Sequence, residues 1–149
     1  MKSKADQLFE EYIIDYVDAN DVKIGTVILF KHMPCKIIQQ MSHKTGKHGC
    51  SRVSIVMLDL FKSTKLEYSC PGSTRLPIVK VDKVKYQVID LGEDAYLQLS
   101  DEIGNIREFK CLSLRKLAEI SKKWNDYQLD DEKIVLVQLL VSCGQEELI

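Results

Sequence analysis

The chain has 149 residues, which is enough for one ordinary domain or two small ones. Hydrophobic residues make up 45% and charged residues 29%, a balance that indicates a globular protein and excludes a disordered or fibrous chain. The net charge is −1, but its distribution along the chain is uneven. The longest apolar run, IVLVQLLV at 134–141, is too short to span a bilayer, so we predict no membrane partner.

The first predicted segment is an acidic N-terminal arm, residues 1–21, which contains two lysines and six acids. Its opening stretch, MKSKADQLFEEYIIDY, carries acids where a secretory signal peptide needs an apolar core, so we predict no signal peptide. The five cysteines are odd in number and none are paired as CxxC, which favours reduced thiols and a cytoplasmic protein.

Residues 22–82 are predicted to form a small β domain. The runs GTVILF, PCKIIQQM, RVSIVMLDLF and KLEYSC are separated by turn residues, and Leu66, Tyr68 and Cys70 alternate with polar residues as in a half-buried strand. The other runs have apolar residues on both faces, and the domain resembles an SH3-like barrel. CPGSTRLP at 70–77 is predicted to interrupt the strands, because proline has no N–H to donate to a ladder.

Residues 83–149 are predicted to form a second β domain. KYQVIDL, AYLQLS and NIREFKCL are predicted strands, a helix is predicted from Ser113 to Trp124 with Ser113 as its N-cap, and KIVLVQLLVS is predicted to close the domain as a strand. Strands with one helix before the last are compatible with an OB-fold. The predicted fold class is therefore all-β with one short helix, an N-terminal SH3-like barrel followed by a C-terminal OB-fold.

The charge distribution predicts where a partner binds. Between residues 22 and 58 there is no Asp or Glu, and residues 1–21 and 83–149 each carry a charge of −4. The basic residues of that central segment are Lys23, Lys31, Lys36, Lys44, Lys47 and Arg52. A basic segment between two acidic ones predicts a local contact with a polyanion, although charge alone leaves open a solvated face without a partner.

The loop SHKTGKHGC, residues 42–50, does not match three common kinds of site. A phosphate loop needs a glycine and a Ser or Thr where Met41 and His48 stand. His43, His48 and Cys50 match no closed zinc site, and the adjacent lysines would repel a dication, so we predict no metal. Cys50 and His48 share a face, but the end of a hairpin is open to water and offers no oxyanion site, so we predict no nucleophilic catalysis.

A basic hairpin that contacts a nucleic-acid backbone is the interpretation that the residues favour. Lys44, Lys47 and Arg52 would contact phosphates, and Gly46 and Gly49 would let the backbone turn and approach closely. This interpretation does not explain why one lysine stands between two glycines.

The loop also carries a resemblance to a known family. KTGKHG at 44–49, preceded by PCKII and followed by RVSIVMLDLF, resembles the eukaryotic translation initiation factor 5A family, which is related to bacterial elongation factor P. KLEYSCP resembles the end of the family's first domain, and EDAYLQL with GNIRE resembles its second. The resemblance implies that Lys47 receives an aminobutyl group from spermidine and is then hydroxylated, which gives hypusine.

The resemblance further implies a translation factor that is not an enzyme and needs no cofactor beyond this modification. The implied partners are the ribosome, peptidyl-tRNA, deoxyhypusine synthase and deoxyhypusine hydroxylase. The implied activity is to promote peptide-bond formation, elongation through stalling sequences and termination. The loop residues implied to support modification and RNA contact are Lys44, Thr45, Gly46, His48 and Gly49. Lys36 and Arg52 are the predicted basic surface.

The sequence alone leaves two other functions open. One is an RNA-binding module that uses the basic segment and is never modified. The other is a structural protein of the type found in fungal Woronin bodies, which resembles the two-domain fold but lacks the modifiable loop. The intact KTGKHG argues against the second. Whether the chain forms a homodimer is left open as well.

Overall fold

A computed structural model describes residues 9–44, 51–130 and 132–149, with only the backbone described at Lys44. The chain divides into two compact units. The first unit extends to Val81 and also includes Ser142–Gly144, and the second comprises Asp82–Val141 and Gln145–Ile149.

The first unit contains one six-stranded antiparallel sheet. Its strands are β1 (Ile13–Asp18), β2 (Val27–Phe30), β3 (Met33–Lys44), β4 (Ser51–Asp59), β5 (Lys65–Pro71) and β6 (Arg75–Val79). They lie in the order β1-β6-β2-β3-β4-β5. The buried core of this sheet includes Ile28, Ile37, Val53, Ile55 and Met57.

Alternation along the strands determines which side chains reach this core. In β4, Val53, Ile55 and Met57 are buried, whereas the residues between them are not. In β5 the predicted alternation is confirmed, since Cys70 is buried and Tyr68 packs against the core. Full burial of an aliphatic side chain stabilises the fold by about 1.5–3 kcal/mol, so this inner face anchors the β4–β5 pair.

Two stretches of the first unit differ from the sequence prediction. Residues 13–18, placed in the acidic arm, form the edge strand β1, and Pro77, placed in an interruption, lies in β6 opposite Tyr16. β6 pairs with β2 only where Ile28 meets Ile78, so a ladder hydrogen bond is not required of every residue in β6. A proline is therefore compatible with this strand.

The second unit contains a five-stranded antiparallel sheet and one helix. The strands are β7 (Asp82–Leu91), β8 (Tyr96–Ser100), β9 (Ile106–Lys110), β10 (Val135–Ser142) and β11 (Gln145–Leu148), in the order β11-β10-β7-β8-β9. The edge strands β9 and β11 are joined by the Arg107 guanidinium, whose two terminal nitrogens donate to the Glu146 carboxylate oxygens at 2.6 and 3.1 Å. This hydrogen bonding raises the pKa of Arg107. The ion pair connects the two open edges of the sheet.

The helix α1 (Leu114–Tyr127) lies between β9 and β10 in sequence. The predicted N-cap is confirmed, since the Ser113 hydroxyl accepts from the Lys116 N–H. The helix extends one turn past Trp124, and Ile120 faces the core while Leu114 is 82% exposed. β11 was not predicted. Within the described ranges, no helix is long and apolar enough to cross a membrane.

Candidate functional site

The β3–β4 hairpin holds the predicted loop. The two strands pair from Cys35 opposite Asp59 to Lys44 opposite Ser51. Residues 45–50 connect the paired ends, so Thr45, Gly46, Lys47, His48 and Gly49 lie outside the described residues. The last pair of the ladder therefore joins the residue directly before the loop to the residue directly after it.

Strand β3 has two halves in different surroundings. In the proximal half, Met33–Ile37, the strand pairs with β2 as far as Lys36. A bulge follows, because Ile37 pairs with Met57 but Gln39 pairs with Val56, which leaves Ile38 as the extra residue. In the distal half, Ile38–Lys44, β4 is the only strand paired with β3 in the described part of the chain.

The two halves differ sharply in burial. Cys35 and Ile37 in the proximal half are fully buried. In the distal half, Met41 is 48% exposed, and Ser42 and His43 are exposed as well. A β-bulge turns a strand and increases its twist. The bulge thus marks the point where β3 stops contributing to the core and becomes the outer strand of the hairpin.

The predicted basic surface is spread along the hairpin. Arg52 is exposed and lies opposite His43 in β3 and Pro71 in β5. Lys36 is exposed and lies opposite Leu58 of β4, and on its other side Leu58 lies opposite Lys65 of β5. Arg52 and Leu58 are six residues apart along β4, which corresponds to roughly 20 Å. The structure therefore places Lys36 and Lys65, which the prediction did not include, on either side of Leu58, and places Arg52 near the start of β4 beside the loop.

At the buried end of the hairpin, two ionisable residues, Cys35 and Asp59, lie opposite each other. The Asp59 carboxylate accepts hydrogen bonds from the Phe61 and Lys62 N–H groups at 2.9 and 3.0 Å, and so fixes the β4–β5 turn. Burial, followed by the charges of Asp59 and Cys143, raises the pKa of the Cys35 thiol to about 11. Cys35 is thus protonated at neutral pH and is not a nucleophile.

Among residues 9–44, 51–130 and 132–149, no three His, Cys, Asp or Glu side chains cluster as metal ligands. Of the three candidate ligands in the sequence, His43 is described, and His48 and Cys50 lie outside the described residues. The four described cysteines, Cys35, Cys70, Cys111 and Cys143, are buried and free.

Sequence reasoning missed a group of polar residues that support the distal half of β3. Gln40 donates to the backbone of the segment after β1, and Asn20 contacts Ser51 at the start of β4. These partners are about 20 to 30 residues apart in sequence. No local pattern could have indicated them, because none of these residues belongs to a recognisable motif.

Comparisons with known proteins agree with this architecture. Residues 15–74 match the family described as translation initiation factor 5A-like, N-terminal. The eukaryotic translation initiation factor 5A of Spodoptera exigua is 34% identical over 119 residues, which is 80% of this chain and 72% of the relative. Eukaryotic translation initiation factor 5A-3 of Arabidopsis thaliana is 30% identical over 130 residues, which is 87% of this chain and 80% of the relative.

Solved structures extend the likeness to three dimensions. A translation initiation factor of the same family from Naegleria fowleri superimposes with a TM-score of 0.76 at 28% identity, over 92% of this chain and 96% of that one. The Methanococcus jannaschii protein superimposes with a TM-score of 0.63 at 21% identity, over 91% and 92%, which bears on the fold alone.

Together the two sheets, the helix α1 and these likenesses confirm the predicted fold class, an SH3-like barrel followed by an OB-fold. The matched family and the named relatives are translation initiation factors, so the chain is a translation factor. The chain belongs to the eukaryotic translation initiation factor 5A family.

Proposed function

We propose that this translation factor binds the ribosome after Lys47 has been converted to hypusine. It then promotes peptide-bond formation, elongation through stalling sequences and termination. The observation that carries the proposal is the KTGKHG stretch, residues 44–49, at the end of the β3–β4 ladder in a chain of this family.

The hairpin is suited to presenting a long side chain. β3 continues for eight residues beyond Lys36, the last residue that pairs with β2, so its end extends past the β2 strand. Lysine is a flexible stem with one compact charge, and an aminobutyl addition lengthens it and supplies a second amine. Such a group is useful where a narrow, phosphate-lined channel must be reached from a slender support. Peptidyl-tRNA held in a ribosome provides a target of this kind.

Ribosome binding is expected to rely on the exposed basic side chains of the first unit. Arg52 lies beside the loop, and Lys36 and Lys65 lie near the opposite end of the hairpin. Contacts between such side chains and phosphates release counterions, which makes the affinity depend strongly on salt. The proposal places the protein in the cytoplasm, with deoxyhypusine synthase and deoxyhypusine hydroxylase as further partners and no other cofactor.

Peptide mapping of protein purified from its native cell tests the modification. We expect the Lys47 peptide to carry an aminobutyl addition and one further oxygen, while Lys44 in the same loop is unmodified and serves as an internal control. An intact-mass measurement on the same sample gives the fraction of chains modified. An unmodified Lys47 in growing cells would contradict the proposal and would favour the unmodified RNA-binding module.

A further inference from the structure

We infer that Asn20, Gln40, Ser51 and Gly72 form a clamp that positions the loop for modification of Lys47. This inference rests on the proposed function, because the clamp acts through a lysine that is assumed to be modified. We assign them no part in the chemistry of the transfer itself, so they are positioning residues. Their contribution is to hold the two strand ends on either side of the loop.

The first part of the clamp holds the open edge of β3. Gln40 lies in the distal half, where β2 no longer pairs with the strand. Its Nε2 donates to the Ala19 carbonyl and to the Asn20 carbonyl, each at 3.0 Å. Both amide hydrogens are thereby used, since a side-chain amide nitrogen has two to donate. The segment after β1 takes the place of the missing neighbouring strand.

The second part holds the start of β4. The Asn20 Nδ2 donates to the Ser51 hydroxyl at 3.0 Å, and that hydroxyl lies 3.2 Å from Asn20 Oδ1, to which it is able to donate. The backbone repeats the connection, because the Asn20 N–H donates to the Gly72 carbonyl at 3.0 Å and the Gly72 N–H donates to the Ser51 carbonyl at 2.8 Å. Three separate chain segments therefore meet at Ser51.

The third part is the space left by a glycine. A Cβ at Gly72 would lie 2.3 Å from Asn20 Nδ2 and 2.4 Å from both Asn20 Oδ1 and Ser51 Oγ. These distances are far below van der Waals contact, so any larger residue would separate the Asn20 and Ser51 side chains. Glycine therefore permits the close approach of these two side chains, and it does not serve an unusual backbone angle.

The position of Ser51 connects the clamp to Lys47. Ser51 is the first residue of β4 and pairs with Lys44, the last residue of β3, so the clamp fixes both ends of the loop. Fixing these ends in the free protein reduces the conformational entropy that is lost when an enzyme binds the loop. A weakened clamp should therefore raise KM for the modifying enzyme. It should leave kcat nearly unchanged, because the bound geometry is the same.

Steady-state modification of the full chain by deoxyhypusine synthase with spermidine tests this inference. We expect Asn20→Ala and Gly72→Ala each to raise KM about three- to tenfold, in line with the loss of one or two hydrogen bonds, with kcat within about twofold of wild type. Asn20→Asp should recover part of the loss, because a carboxylate still accepts from the Ser51 hydroxyl. Gln98→Ala, which removes an amide in the second unit, is the matched control and should have no effect.

Hydrogen exchange gives a second measurement that does not depend on the enzyme. In Asn20→Ala, the backbone amides of the distal half of β3 should exchange faster than in wild type, while those of β8 should be unchanged. If wild type is modified and both Asn20→Ala and Gly72→Ala match its KM, the clamp inference fails and the proposed function stands. If wild type is not modified at Lys47, both fail. An equal rise in KM in the Gln98→Ala control would also overturn the inference.

Discussion

The two halves of strand β3 are held in place by different forces. The proximal half buries Cys35 and Ile37 completely, and the hydrophobic effect anchors it. The distal half exposes Met41 and His43 and depends on β4 and on the Gln40 side chain for its position. The loop that carries Lys47 follows the half with the weaker anchoring. Stability and function should therefore respond to different substitutions along a single strand.

The largest expected effect is on function alone. Lys47→Arg keeps the positive charge but supplies a guanidinium, which is not the amine that the aminobutyl transfer requires. We expect complete loss of translation-factor function in cells that depend on this protein, with an unfolding curve like that of wild type. A variant that grows normally would break the link between the loop and function. Lys83→Arg, at an exposed position of β7 outside the loop and the basic segment, is the matched control.

The next largest effect is on stability, and it should differ between the two halves of β3. Ile37→Ala in the proximal half should lower the free energy of unfolding by about 2–5 kcal/mol, as large-to-small core changes do. Met41→Ala in the distal half should change it by no more than about 0.5 kcal/mol, because exposed substitutions cost little. Urea denaturation of both variants checks this. Similar losses in the two would mean that the distal half is also part of the core.

A smaller effect is expected on ribosome binding. Arg52→Glu places a negative charge beside the loop, so it should weaken binding and reduce the salt dependence of the affinity. Lys122→Glu, on an exposed position of α1 in the acidic second unit, should do less. Titrations against purified ribosomes at two salt concentrations measure both. Equal damage from the two reversals would show that the basic segment is not the principal phosphate-binding surface.

The smallest effect is a pH dependence of the proximal half. The pKa of Cys35 is raised to about 11 in the folded protein, so folding favours the protonated thiol. This contribution is complete below the ordinary thiol pKa and is lost as pH rises toward about 11. Wild type should therefore lose more stability than Cys35→Val between about pH 8 and about pH 10. Urea unfolding at several pH values measures this. If the free energy of unfolding falls equally in the two proteins over this range, the Cys35 thiol is not the cause of the pH dependence.

Local patterns predicted the parts of the fold that depend on neighbouring residues. The alternation of Leu66, Tyr68 and Cys70 and the N-cap at Ser113 are both properties of a few consecutive positions. β1 and β6 were missed because they form strands mainly by pairing with each other, and they are far apart in sequence. An edge strand with Asp15 and Asp18 is not recognisable by composition alone.

The candidate site shows the same division between local and distant signals. The loop motif is local, and the predicted hairpin is present, since β3 and β4 pair up to Lys44 and from Ser51. The role of Lys47 stays a prediction. The contacts of Asn20 with Ser51 and Gly72 are distant, and they became visible only once the fold brought three segments together. Whether Lys36 and Arg52 would lie side by side also depended on strand register, which composition does not determine.

The bulge at Ile38 determines the direction of the distal half of β3, so a small change there displaces the far end of the strand. From Ile38 to Lys44 the strand covers roughly 20 Å, at about 3.3 Å per residue. A change of only about 5° in the direction of the strand at the bulge would displace its far end by nearly 2 Å, from the same rise per residue. Misplacements on the order of 1 Å already matter for reacting groups. The direction of the hairpin is therefore determined at the bulge, far along the chain from the loop. A single residue inserted or deleted there would change that direction.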